Sequence, residues 1–259
     1  TGSTQGALRI FYNNLIDAAG VVFTPTSEVT SLTAENLAHE FRRKPWRTGT
    51  STALEAVVID LLTAQAVTSV VLLDHTLTAS DTLIKIQGNA SDSWGAPSFS
   101  QTLTYAAGTI AAVFASQTYR YWRLTFTKSA SGERRDIGRL YLGTYYETTE
   151  QPDYDGYQAE TEDNSRVQKT VGGQVYTENL LKFERLRYRF SAVPTAQADA
   201  IKTIIDAVGE AITIFVQTDT ASPLDKVWYV KFRNATKRKV AAYDSEFRWD
   251  MDLEFEEAL

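Results

Sequence analysis

Residues Tyr119-Arg120-Tyr121-Trp122-Arg123-Leu124-Thr125-Phe126-Thr127, a polar stretch, and then Ile137-Gly138-Arg139-Leu140-Tyr141-Leu142-Gly143 decide how the rest of the chain is read. Side chains alternate across a pleated strand, so Arg120, Trp122, Leu124 and Phe126 point one way and Tyr121, Arg123, Thr125 and Thr127 the other. One face is core; the other carries cations, hydroxyls and a phenol. Arg120 is the odd member of the apolar face. Its head is expected at the sheet edge or on a carboxylate, because an unpaired buried guanidinium is very costly. The intervening Ser129-Ala130-Ser131-Gly132-Glu133-Arg134-Arg135-Asp136 has turn chemistry, which predicts a hairpin-like pair closing a β domain.

Working outward, strands are predicted over 54–61, 67–73, 83–88 and 98–105, with Thr, Ser, Asp, Asn and Gly in the breaks. No amphipathic helix separates them, which points to a β-sandwich or jelly roll and away from a βαβ sheet. Earlier, residues 8–12 and 21–23 suit short strands. Residues 27–52 are turn formers and charges, including Phe41-Arg42-Arg43-Lys44-Pro45-Trp46-Arg47-Thr48-Gly49, and read as a long ordered loop.

After Tyr146 the composition shifts. Residues 147–166 hold seven carboxylates and one basic side chain, with almost nothing aliphatic, so 151–165 reads as an acidic linker. The predicted domains are 1–150 and 151–259. In the second, residues 180–190 alternate Arg185, Arg187 and Arg189 with Leu186, Tyr188 and Phe190. Ala198, Ile201, Ile204, Ile205 and Val208 then mark one face of a helix, with Pro194 suited to its first turn and Gly209 to the residue past its end. Strands follow over 211–217 and 227–232, and Phe247, Trp249, Met251, Leu253 and Phe255 alternate with Arg248, Asp250, Asp252, Glu254 and Glu256. This half is read as α+β, a small sheet with one helix packed on it, in a chain that is mainly β.

The totals narrow the function classes. The 259 residues carry a formal charge of −6, no cysteine, two histidines and thirty aromatic residues. A net negative charge argues against a duplex nucleic-acid binder. The missing cysteine excludes disulfides, thiolate catalysis and Cys-type zinc sites. No run approaches the ~18 apolar residues that a membrane span requires, so no membrane insertion is expected and the chain reads as a cytoplasmically folded protein. His39 and His75 lack a second histidine nearby, and neither Gly-x-Ser-x-Gly nor His-Glu-x-x-His occurs. The chain is therefore read as a non-enzyme, with no catalytic residue, metal ligand or cofactor nominated.

Residues from about 12 to 145 resemble a discoidin, or coagulation-factor C-type, galactose-binding-like jelly roll. The matching pieces are Pro45-Trp46-Arg47-Thr48, Ala56-Val57-Val58-Ile59-Asp60-Leu61, Ile84-Lys85-Ile86-Gln87-Gly88-Asn89, Asp92-Ser93-Trp94 and the two strands quoted at the outset. The family often holds calcium with an Asp-Gly pair in an early loop. Thr33-Ala34-Glu35-Asn36-Leu37 stands there instead, leaving Glu35 and Asn36 as the oxygen donors. Residues from roughly 165 to 259 resemble the tube-type domain of phage distal-tail and baseplate proteins, through Gly172-Gly173-Gln174-Val175, the 180–190 strand, the helix from Pro194, Trp228-Tyr229-Val230-Lys231-Phe232 and the carboxyl-terminal strand. The two resemblances together imply a structural subunit of a virion tail tip, assembled in the host cytoplasm, that meets itself in a cyclic homo-oligomer and other tail proteins beside it. A host-surface carbohydrate is the further partner they imply. The alternative is a stand-alone carbohydrate-binding module with an accessory domain.

Candidate ligand-binding residues are Trp46 and Arg47, Trp94, and Arg134 with Arg135. Trp46 and Arg47 form either a sugar-binding shelf or, the favoured reading, a core plug and a local ion pair. Trp94 sits in a loop beside Gly95, Ala96 and Pro97, as an exposed loop aromatic or a ligand contact. Arg134 and Arg135 join Arg42, Arg43 and Lys44 either as an anion-binding patch or as a solvated face. Arg185, Arg187 and Arg189 complement Asp250, Asp252 and Glu254, and either cross-pair within one sheet or meet between subunits of an assembly.

Overall fold

The computed structural model describes residues 6–153, 155–218, 227–233, 237–243 and 246–258. The chain is 56% strand and 9% helical, and its contacts gather into two bodies. One is Asn13–Tyr145; the other joins the segment up to Tyr12 with the chain from Tyr146 onward. The predicted boundary at 150 is thus displaced by a few residues. More consequentially, the amino-terminal strand leaves the first predicted domain for the second.

In chain order the strands are β1 (Arg9–Asn14), β2 (Val22–Pro25), β3 (Trp46–Arg47), β4 (Leu54–His75), β5 (Thr82–Asn89), β6 (Phe99–Thr102), β7 (Thr109–Thr127) and β8 (Asp136–Glu147). Then come β9 (Tyr157–Asp163), β10 (Arg166–Lys169), β11 (Val175–Glu178), β12 (Lys182–Pro194), helix α1 (Thr195–Val208), β13 (Ile214–Gln217), β14 (Val227–Phe232), β15 (Lys237–Tyr243) and β16 (Glu246–Glu257).

The first body is an antiparallel sandwich built on two long strands. Residues Leu54–Asp60 of β4 pair with Tyr121–Thr127 of β7, and β2, β5 and β6 extend that sheet. Past a break in register between Asp60 and Gln65, where Leu62 has φ 68°, β4 continues with β7 on one side and β8 on the other. Strands that bend at such irregularities pass from one sheet to the next and make the corners of a sandwich. The two predicted strands 54–61 and 67–73 are therefore one. The hairpin expected between 119–127 and 137–143 is not formed, because β4 pairs with both β7 and β8. What the hairpin reading missed is the first half of β7, whose Ala111, Ala112 and Ser116 give too weak an alternation to announce a strand.

Inward residues follow the predicted parity. Val57, Ile59, Trp122, Leu124, Phe126, Ile86, Ile137, Leu140 and Leu142 share one core. Arg120, on the apolar parity, turns out to Asp60 in a two-bond pair at 2.7 and 2.8 Å, as its cost of burial requires. Two ionic clamps hold the long loops. Lys128 and Glu55 meet at 2.9 Å with both side chains sealed from water. The ammonium also donates to the carbonyls of Gly49 and Glu133, and the carboxylate accepts from Thr26, Ser27 and Thr52. In the second clamp, Asp81 accepts from Arg135, Thr78 and Ser129. Where Asn13 enters the body, a Cβ on Gly143 would lie 2.1 Å from its carbonyl oxygen, so only glycine permits that approach.

The second body is an antiparallel sheet in the order β1, β13, β14, β16, β12, β9, with β15 also on β16. Leu8 and Ile10 join Leu186, Tyr188, Phe190, Val216, Leu253 and Phe255 in its core, and α1 covers it with Ala198, Ile201, Ile204 and Val208. The helix begins after Pro194 and ends at Gly209, whose φ is +59°, as predicted. The acidic linker is a correction. Residues 157–163 are the edge strand β9, paired with β12, because its carboxylates find cations: Asp163 takes Lys182, and Glu162 takes Arg185 and Arg233. A separate hairpin, β10 with β11, turns at Gly173, whose φ is +83°.

Candidate functional site

The polar face of the opening stretch becomes the outer face of the β6-β5-β7-β4-β2 sheet. Register sets one row across all five strands: Ser100, Gln87, Arg123, Val58 and Thr24. Beside it lie Lys85 with Thr102 and Thr125, and on the other side Asn89, Tyr121 and Asp60.

Arg123 is the centre of this face. Its Nε and Nη2 donate to Oε1 of Gln87 at 2.9 and 2.6 Å, and the Gln87 amide donates on to Ser100 at 3.4 Å. The Trp94 ring lies over the guanidinium, with its centroid 4.7 Å from Cζ. That is a cation–π stack, strengthened where water is thinned. The indole N–H donates to Asp92 at 2.6 Å, which fixes the ring's rotation. The loop that delivers Trp94 is anchored by Asn89, whose amide donates to the Ser93 carbonyl and whose Oδ1 accepts from Ala90 and Ser98. Burial holds the Arg123 pKa below the usual guanidinium range. At the near edge, Arg120 holds the Asp60 carboxyl below its ordinary value while stacking over Tyr121 at 4.8 Å. An aromatic plate with an exposed hydroxyl beside it on a rigid sheet can stack on a ring and hydrogen-bond its substituents without breaking a bond, with the buried Gln87 serving to fix Arg123.

Of the residues nominated from sequence, Trp94 alone joins this arrangement. Trp46 is 0% exposed, packed edge-on to Phe126 with its N–H on the Ser27 carbonyl, and has no surface for a ligand. Arg47 is spent on Asp136 in a two-bond pair at 2.7 and 2.6 Å. Arg135 is 8% exposed and closed onto Asp81, Glu133 and Ser129, so it is a clamp and not a ligand contact. Arg134 is exposed, and Arg42 pairs with Asp74 at 3.2 Å. Gln87 and Arg123 were missed. Both stand in quoted stretches, but only the register across β5 and β7 shows that they face each other beneath Trp94.

The assembly candidates are engaged within their own sheet. Arg187 reaches Asp252 and Glu254, Arg185 reaches Glu162, Arg189 reaches Asp153, and Asp250 accepts from the Ala192 amide. Although β12 and β16 are neighbours, among the described residues Arg187 is the one arginine of the three that cross-pairs with the β16 carboxylates, and Arg185 and Arg189 are taken by Glu162 and Asp153 instead. Glu35 is exposed while Asn36 is buried with its amide on the Pro45 carbonyl, so the two do not converge on an ion. Among the described residues no group of three His, Asp or Glu could hold a metal, and no helix is long and apolar enough to cross a membrane. His75 is half-buried with Nε2 on the Ala106 carbonyl, and burial lowers its pKa; His39 accepts from the Phe41 amide.

No protein-family model and no curated protein matches the sequence. Solved structures do. Chitosan-binding module 1 of a Paenibacillus sp. IK-5 chitosanase/glucanase is 19% identical over 51% of this chain and 99% of its own, with a TM-score of 0.42. A Streptococcus pneumoniae fucose-binding module, SpX-3, is 11% identical over 52% and 99%, with a TM-score of 0.42. The lectin domain of lectinolysin, solved with Lewis B antigen, is 11% identical over 50% and 95%, with a TM-score of 0.41. These neighbours are carbohydrate-binding modules and a lectin domain. Likeness at this level decides nothing about what this chain binds.

Proposed function

We propose that the protein is a non-catalytic carbohydrate-binding protein whose recognition surface is the outer sheet face around Trp94, Arg123 and Gln87. The observation that carries this reading is the Trp94 ring, half-exposed and pinned on Arg123 by Asp92. A pre-oriented indole loses little freedom when a pyranose stacks on it, and the exposed Ser100 hydroxyl beside it is a hydrogen-bonding group of the type that reads sugar hydroxyls, while Gln87, 7% exposed, holds Arg123 in place beneath the ring. The test is a glycan array probed with the full chain, followed by titration of the best ligand. Trp94→Ala is expected to weaken binding by about five- to tenfold, the worth of one aromatic contact. An array without signal, or a hit unaffected by Trp94→Ala, refutes the reading.

A second reading, a ring-forming subunit of a phage tail tip that meets other tail proteins, is favoured by the β10–β11 hairpin. Every residue of its two strands is exposed, including Val167, Val175 and Tyr176, and Val171, Leu180 and Leu181 flank them in the open. Apolar side chains gathered on one exposed hairpin mark a surface that another chain covers. Light scattering and electron microscopy of the full chain test it, and a monomer at every concentration overturns it.

A further inference from the structure

Arg123 is a partly buried cation without an ion-pair partner among the described residues. The other buried or partly buried arginines of the sandwich end on carboxylates: Arg42 on Asp74, Arg47 on Asp136, Arg120 on Asp60, Arg135 on Asp81 and Arg139 on Asp17. Arg123 ends on the neutral Gln87 amide and the Trp94 ring. Asp92 lies close enough to be felt, yet it forms no ion pair with Arg123 and is already taken by the indole N–H. One position along the sheet stands Lys85, which has no ion-pair partner among the described residues. Diagonal neighbours of this kind lie ~7–8 Å apart, within reach of long side chains, so both heads can approach one anion.

We propose that this face takes a carboxylated sugar, its carboxylate received by Arg123 and Lys85 and its ring laid against Trp94. The inference rests on the carbohydrate-binding reading above and adds the charge of the ligand to it. A guanidinium partly shielded from water gains more from an incoming carboxylate than a fully exposed one does. The desolvation that depresses the Arg123 pKa is the same cost that a bound anion would relieve.

The sugar could be a uronate within a polymer or a terminal sialate, and the experiment separates these. Trigalacturonate, 3′-sialyllactose, the methyl ester of each, and lactose are titrated into the full chain by calorimetry at low and high salt. One or both acids are expected to bind about tenfold more tightly than the matching ester, with the difference shrinking as salt rises. Whichever acid shows the preference names the source. In Arg123→Gln, with folding checked by thermal melt, the acid-to-ester ratio should fall to near unity, and Arg123→Lys should keep part of it. If acids and esters bind equally, the proposal is overturned while the carbohydrate reading stands. If neither acids, esters nor lactose bind, this proposal is overturned, and the carbohydrate reading falls with it when the glycan array is silent as well.

Discussion

Replacing Glu55 by glutamine removes one charge from a pair that water does not reach. Lys128 and Glu55 are 0% exposed in their side chains and lie 2.9 Å apart. Glutamine keeps the shape and can still accept from Thr26 and Ser27, so no cavity opens. What changes is that the Lys128 ammonium keeps only the Gly49 and Glu133 carbonyls and loses its counter-charge. Breaking a buried pair from one side costs about 3–5 kcal/mol, whereas replacing both partners with apolar groups of like volume is close to neutral. At ~2–4 °C per kcal/mol for a body of this size, the single substitution should lower the melting temperature by at least ~6 °C. The double variant Glu55→Leu/Lys128→Met should recover most of that loss, with a guanidinium midpoint close to that of the native chain. A single substitution costing less than ~1 kcal/mol, or a double as damaging as the single, would sink the argument that charge and not packing sets the cost.

Acid should loosen the same body through Asp81. Burial alone would raise its pKa, but bonds from Arg135, Thr78 and Ser129 outweigh that and bring it down to about 2. A depressed carboxyl contributes stability above its unfolded value near 4 and loses it as pH falls toward 2, here about 2 kcal/mol. Asp17, raised by burial beside Arg139, acts in the opposite sense and offsets part of the loss. Urea midpoints measured between pH 5 and pH 2 should fall for the native chain and fall less for Asp81→Asn, from a lower start. Gly143→Ala drives a Cβ to 2.1 Å from the Asn13 carbonyl and should cost ~1–3 kcal/mol or more; an unchanged melt would refute the contact. Ile201→Ala, at a fully buried position of α1, should cost ~2–5 kcal/mol in the denaturation of the second body.

The elements most legible in the sequence are those whose alternation or helical period is complete. The strand from Phe247, the helix after Pro194 and the second half of β7 were all placed from residue pattern, with their inward faces correct except at Phe247, which is 75% exposed. Legibility failed where partners decide. β9 looked like a linker because its carboxylates give no hint of the Arg185, Lys182 and Arg233 that neutralise them. β1 gave no sign that it belongs with β13, more than two hundred residues on. At the site, Trp94 stood out as a loop aromatic, while Trp46 already read better as a core plug and Arg135 as part of a solvated face, with a ligand contact the alternative for each. Burial and a carboxylate removed them, and neither can be read from a single sequence. Gln87 and Arg123 became partners only through strand register.

The pairing of Arg9 with Gln217 has a consequence for how the molecule is made. At ~5–20 residues per second, translation leaves the first strand waiting ~10–40 seconds for its neighbour, while everything from Asn13 to Tyr145 emerges as one unbroken run able to fold in the meantime. The sandwich is thus a guest spliced into a host body, and its entrance and exit lie side by side where Asn13 meets Gly143. A cassette with adjoining ends can be exchanged for another, or deleted and bridged by a short turn, without rethreading the host. New surfaces can then be acquired by the sandwich while the body built from β1 and the strands after Tyr146 keeps its sequence.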